Sequence, residues 1–253
     1  GKNKLDLTAL HLTVGSDVNP LHTDNFEEVS FGPILYGAKK LGMHIHTRYE
    51  VSNNAGQDIC DIVNNEGFDF LLVGSGISMS NSPDDIAATR YRTSFYNRYF
   101  KRFNAPESWF YPGALLKDKT KMFIARSNCD VGVFINRNFV KASNILVVIS
   151  SEEDLFLLDY TKTLLKTTHG SVGIIYKAST TTPGYGKIIE TIEEFTATVS
   201  QAKLLPDKDL TPGLFNGYNF MLISYNTWND VSEHRKEALQ KMPSTLILNK
   251  KPS

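Results

Sequence analysis

Short apolar runs alternate with stretches of helical period along most of the chain. Residues 5–14 (LDLTALHLTV) form a β-rich run closed by Gly15 and a polar loop over 16–25. Gly32-Pro33 interrupts a continuous helix after Phe26. The pattern therefore predicts a helix that starts at Pro33, carries Ile34, Leu35, Ala38 and Leu41, and stops at Gly42. Alternation over 43–51 predicts a strand with His44 and His46 on one face and Ile45 on the other. Asn53-Asn54 then caps a helix to Asn65, with Ile59, Ile62 and Val63 inward and Asp58 and Asp61 outward as surface charges.

The chain is organised around residues 68–137. Asp69-Phe70-Leu71-Leu72-Val73 runs into Gly74-Ser75-Gly76, the pattern of a buried parallel strand whose C-terminal end opens onto a loop. Cys129-Asp130-Val131-Gly132-Val133-Phe134-Ile135 has the same pattern. Ahead of it Leu115, Leu116, Lys119, Met122, Phe123 and Arg126 recur at offsets of three and four, predicting a helix over 115–126.

A second half begins near Lys141. Residues 144–149 predict a buried strand, and Ser150-Ser151-Glu152-Glu153-Asp154 caps a helix over 155–168 that Gly170 stops. Further strands are predicted at 171–177, 220–224 and 245–249, with helices at 187–203 and 230–241. The Pro- and Gly-bearing stretch 204–217 reads as a loop where a third helix is expected. Strands alternating with helices indicate mostly parallel sheets covered on both faces. Aligning Val73 with the end of 220–223, and 131–135 with 246–248, suggests one unit used twice. The expected domains are 1–139 and 140–253, joined near 138–142, with the first strand and helix of the first unit unaccounted for.

Composition narrows the function classes. Lys plus Arg and Asp plus Glu balance at 27 each, so no global field favours nucleic acid. Hydrophobic content of 41% and charged content of 21% suit a globular protein. The longest apolar runs fall far short of the roughly 20 residues that span a bilayer. The start, Gly1-Lys2-Asn3-Lys4, has neither an initiator methionine nor an apolar leader, as in a piece cut from something longer. Cys60 and Cys129 lack CxxC spacing and read as small buried residues in a reducing compartment. His44 and His46 have no third ligand at suitable spacing, so no metal is expected. No Gly-x-Ser-x-Gly elbow, Walker lysine loop or assignable acid pair points to an enzyme.

The insert 77–112 is polar at first, then interleaves aromatic and basic residues. Tyr91, Phe95, Tyr99 and Phe103 stand four apart, one stripe if helical, and Trp109-Phe110-Tyr111 follows. The stripe suits packing on its own domain. It also suits burial on a partner, a second copy or a membrane domain, since Tyr, Trp and Arg anchor interfaces. Stacking on single-stranded nucleic acid is the weakest match for a neutral chain without an RNA motif.

The order DFLLVGSG followed by PGALLKDKTKMFIARSNCDVGVFINR resembles the last third of a universal-stress-protein-like (adenine nucleotide alpha hydrolase-like) domain. The Cys129 to Arg137 wording is closer still to the cytosolic tail of Kef- and CHX-type monovalent cation/proton antiporters. This resemblance implies a non-catalytic regulatory domain on the cytoplasmic side of the inner membrane. It would modulate Na+ or K+ exchange for protons by an upstream transmembrane domain, with Tyr91, Phe95, Tyr99, Phe103 and Trp109 as contact residues and a homodimer as a further partner. The alternative it implies is a free-standing tandem universal stress protein that binds ATP or AMP. In that family Gly-x-x-Gly and a later Gly-Ser or Gly-Thr hold phosphate. Gly74, Ser75, Gly76 and Gly113 answer to these positions, although Ala114 lacks the hydroxyl, and in a bland alternative the glycines only turn the chain.

Overall fold

A computed structural model describes residues 6–14, 23–74, 121–177, 183–206, 209–234 and 241–251. Contacts divide the chain into two compact units, Gly1–Glu66 and Gly67–Ser253. Residues 138–142, where the sequence pattern places a join, lie inside the second unit between two of its strands.

In the first unit β1 (Thr8–Val14) and β2 (His46–Ser52) pair in parallel, with α1 (Thr23–Lys40) between them and α2 (Ala55–Glu66) after them, packed on β1. His11, opposite Tyr49 in the register, stacks on that ring at 5.7 Å and meets Phe31 edge-on at 6.2 Å. Burial pushes its imidazole below the usual range, so the ring stays neutral. Two expectations are corrected in this unit. Helix α1 runs through Pro33, which has no N–H to donate to the carbonyl four residues back, so the helix continues across a position that local chemistry disfavours. The strand begins at His46, leaving residues 43–45 outside it. Helix α2 stands where expected and buries Val63, with Ile59 and Ile62 half-buried, but its most buried residue is Cys60 and Asp58 is half-buried rather than outward.

The second unit is built on a seven-stranded sheet. Its strands are β3 (Phe70–Gly74), β4 (Asp130–Ile135), β5 (Asn144–Ile149), β6 (Ser171–Tyr176), β7 (Ala202–Leu204), β8 (Phe220–Ser224) and β9 (Ser244–Asn249). The order is β3-β4-β9-β8-β5-β6-β7, every pair parallel except β4 with β9. Its helices are α3 (Phe156–Thr168), α4 (Tyr185–Thr198), the short α5 (Pro212–Phe215) and α6 (Tyr225–His234). Residues 121–126 are also helical, within the helix expected there.

Alternation sorts the core of this sheet. Ile145, Val147, Ile149, Val172, Ile174 and Tyr176 join Leu157 and Leu158 of α3 and Ile188 and Ile192 of α4 in one apolar cluster. The intervening Leu146, Val148, Ile175, Met221 and Ile223 are fully buried too, which requires cover on the opposite face. Helix α6 packs on β8 and β9.

Strands β5 and β8 stand where the pattern placed them. Helix α3 is preceded by a 3-10 turn (Glu152–Leu155), and its C-cap is His169 in the left-handed region (φ 50°), one residue before the expected Gly170. Gly170 serves packing, since a Cβ there would lie 2.5 Å from the Ser143 carbonyl oxygen. The stretch expected as a loop at 204–217 holds the end of β7 and helix α5, whose cap Thr211 accepts from Leu214 N at 3.3 Å. The last helix starts at Tyr225, five residues before the expected start.

Candidate functional site

From β5 the chain steps outward to β6 and β7, then returns to β8 on the other side of β5 and moves on to β9. The winding therefore reverses between β5 and β8, and beyond their carboxyl ends a parallel sheet opens a crevice. The first residues past these strands are Ser150 and Tyr225, brought level by the Val148 to Ile223 register.

Asp154 closes the bottom of this crevice. The sequence marks the segment as a helix cap, and Asp154 Oδ2 does accept from Ser150 N at 2.7 Å and Ser151 N at 3.0 Å. It also accepts from Thr227 Oγ1 at 2.8 Å, which ties the β5 turn to α6. Asp154 and Thr227 are both buried. Ser224 Oγ accepts from Thr227 N at 3.1 Å, capping α6. The amides that a strand-to-helix turn would present to a phosphate are thus already held by an internal carboxylate.

Around this bridge three buried hydroxyl oxygens make no hydrogen bond among the described residues: Ser150 Oγ, Tyr176 OH and Tyr225 OH. They stand at the ends of three adjacent strands. Burial, then the neighbouring Tyr185, pushes the Tyr176 phenol up, so it remains a neutral donor. At the rim Lys177 Nζ lies 3.8 Å from Asp230 Oδ2, and Lys187 pairs with Glu152. Gly184 holds a left-handed φ of 75°, and a Cβ there would meet Glu152 Oε2 at 2.7 Å. Such a site offers neutral hydroxyls to a hydrogen-bonding ligand rather than an open anion cradle. Sequence reasoning missed it as a site because each residue reads as a cap or strand end. The available signal was the first polar group after three apolar runs.

The expected residues fare differently. Gly74 is the exposed last residue of β3, and nothing described lies within 4 Å of a Cβ built on it. Ser75, Gly76 and Gly113 lie outside the described residues, as do Tyr91, Phe95, Tyr99, Phe103 and Trp109. His44 and His46 meet edge-on at 4.7 Å, and His46 Nε2 lies 3.3 Å from Asp6. Among the described residues no group of three or more His, Cys, Asp or Glu could hold a metal. Cys60 and Cys129 are both buried, and neither is in a disulfide. Asp61 is exposed as expected, but Asp58 does structural work, accepting from Ser52 Oγ at 2.5 Å while Ser52 Oγ accepts from Asn54 N at 2.9 Å.

No protein-family model matches the chain, and no curated protein does. Solved structures do share its fold. A universal stress protein from Archaeoglobus fulgidus DSM 4304 matches with a TM-score of 0.54 at 12% identity, over 97% of this chain and 86% of its own. A putative universal stress protein from Pseudomonas aeruginosa UCBPP-PA14 matches with a TM-score of 0.50 at 12% identity, over 94% and 81%. A protein of unknown function from Pseudomonas aeruginosa PAO1 gives 0.50 at 12%, over 95% and 82%. The chain therefore has a universal-stress-protein-like α/β fold with a mostly parallel sheet. No helix among the described residues is long and apolar enough to cross a membrane.

Proposed function

We propose that this chain is a non-catalytic regulatory module, built as two tandem units of one βα pattern, that modulates cation/proton exchange by a membrane domain of the same protein. The observation that carries this reading is the Cys129 to Arg137 segment, whose wording resembles antiporter tails and which forms an integrated structural unit. Its core is β4, paired on both edges. Asp130 accepts from Tyr160 OH and from Lys251 N, both at 2.8 Å, and Arg137 N donates to Ser244 Oγ at 2.8 Å. Regulation then requires contacts that differ between active and inactive transporter, because only a differential interaction shifts an equilibrium. The aromatic stripe from Tyr91 to Trp109 is the proposed contact. Sodium- and potassium-driven proton exchange in everted vesicles, with the full-length protein and with Tyr91, Phe95, Tyr99 and Phe103 changed to Ser, tests this. A changed exchange rate or pH dependence supports the proposal. An unchanged profile, or a parent protein without membrane spans, removes it.

A second reading rests on the fold neighbours, two of which carry the stress-protein name. In it the chain is free-standing and binds ATP or AMP at Gly74, Ser75, Gly76 and Gly113. The Asp154 carboxylate on the Ser150 and Ser151 amides weighs against phosphate in the crevice beyond β5 and β8, which leaves the end of β3 at Gly74 for this reading. Calorimetry with ATP, ADP and AMP decides it, and silence at millimolar nucleotide eliminates the reading.

A further inference from the structure

A second polar concavity opens at the other end of β5 and β8, away from the crevice. It lies between the turn at 137–141 and the segments leading into β8 and β9, and it encloses about 590 Å³. Its walls are fixed by the fold. Phe139 N donates to Asn136 Oδ1 at 2.9 Å, and the Phe139 ring packs on Phe134 at 5.4 Å and Phe220 at 5.3 Å. Across from it Asn219 Oδ1 accepts from Ser143 N at 3.2 Å and Asn144 N at 3.0 Å. The backbone of these two walls is therefore held in place by the fold itself.

The charge of the lining is one-sided. Arg137, Lys141 and Lys241 contribute to it, and among the described residues no Asp or Glu does. In a chain with 27 basic and 27 acidic residues that segregation is local, and a concave wall focuses the resulting field. Burial pushes the Arg137 guanidinium down from its usual value. A guanidinium takes two oxygens of one carboxylate or phosphate side by side, and the lysines add point charges. The volume falls within the range of small-molecule sites, about 300–1,000 Å³.

We propose that this cavity binds a small soluble polyanion carrying two or more phosphate or carboxylate groups. The concavity, rather than a flat basic face, selects a compact ligand over a lipid surface. Gly74 is not among the residues that line it, and the crevice lies at the opposite end of β5 and β8, so neither functional reading above is needed for it.

Titration calorimetry of the whole chain with inorganic pyrophosphate, and separately with citrate, tests the proposal. The expected result is heat from at least one probe at millimolar concentration, with affinity that falls as salt rises. Lys141→Gln combined with Lys241→Gln weakens that binding about tenfold or more, the equivalent of one lost charge-assisted hydrogen bond. Both lysines are exposed, so the fold survives the change. Lys166→Gln, at an exposed position on α3 outside the cavity, leaves the affinity unaltered. Silence with both probes, or equal weakening by Lys166→Gln, overturns the assignment. Sedimentation with phosphatidylglycerol vesicles while both soluble probes are silent also overturns it, because a surface would then be reading the charge.

Discussion

At the scale of single residues the decisive group is Asp154, a buried carboxylate with three donors on one oxygen. Asp154→Ala leaves two backbone amides and the Thr227 hydroxyl without their acceptor, at about 1–3 kcal/mol for each buried group left unpaired. Thr227→Val removes only the arm to α6 and is expected to lose about 1 kcal/mol. Urea unfolding of both single variants and the double checks this, with the double falling short of the sum because the sites share a bond. Equal and small losses for the two singles would show that Asp154 is no more than a surface cap. Tyr160 gives a pH signature. Burial first, then the bond to Asp130 and its charge, raise the phenol well above its ordinary value of about 10. Its folded pKa is the raised one, so the contribution is fully present below about pH 10 and is lost as pH rises towards the folded value. Tyr160→Phe is expected to lose about 1 kcal/mol near neutrality. The variant's urea midpoint also falls less steeply than the parent's between about pH 9 and 11. Parallel slopes in the two proteins would contradict the assignment.

At the scale of elements Gly132 explains one letter of the antiporter-like wording. It sits mid-β4 opposite Leu72 and Leu248. A Cβ built on it would lie 2.6 Å from Phe70 Cζ, 3.2 Å from Leu246 Cδ1 and 3.3 Å from Leu72 Cδ1. Gly132→Ala therefore forces the Phe70 ring aside, away from Tyr160 at 6.1 Å, and is expected to destabilise by about 1–3 kcal/mol. Adding Phe70→Leu should recover part of that loss, measurable as a rise in Tm over Gly132→Ala alone. The same element was legible in the sequence, as were β5 and β8, because an apolar run between polar boundaries is what a strand covered on both faces requires. Strand β7 was not, since three residues at a sheet edge, two of them exposed, carry no period. Nor was the continuation of α1 through Pro33, where local chemistry opposes what the longer segment adopts. The crevice was legible only in part: Ser150 and Asp154 announce a helix start and Ser224 reads as a strand end, but the bond from Thr227 to Asp154 joins residues 73 apart, and no local pattern encodes it.

Across the whole molecule apolar burial is unevenly shared. Among the described residues the first unit buries Phe31, Ala38, Cys60 and Val63, whereas the second buries whole apolar runs, such as the five residues Ile145 to Ile149, with their covering helices. Each large apolar side chain contributes about 1.5–3 kcal/mol on burial, and a two-stranded sheet is marginal without strong cover. The first unit is therefore expected to open at lower denaturant than the second. The two native cysteines report this without any substitution, Cys60 in the first unit and Cys129 in the second, neither in a disulfide. Static exposure makes the opposite forecast, because Cys129 is 6% exposed and Cys60 0%. Alkylation with iodoacetamide in rising urea, read peptide by peptide by mass spectrometry, separates the two. Local opening predicts that Cys60 is modified well below the midpoint at which Cys129 follows, since labelling tracks the free energy of the unit that opens. Burial pushes the Cys129 thiol up, so its native state is also the slower nucleophile at a given exposure. Labelling through an opened state bypasses that native difference, and reference rates measured on the fully unfolded chain put the two thiols on one scale. Corrected labelling curves that coincide at one midpoint would mean that the two units unfold as a single cooperative body.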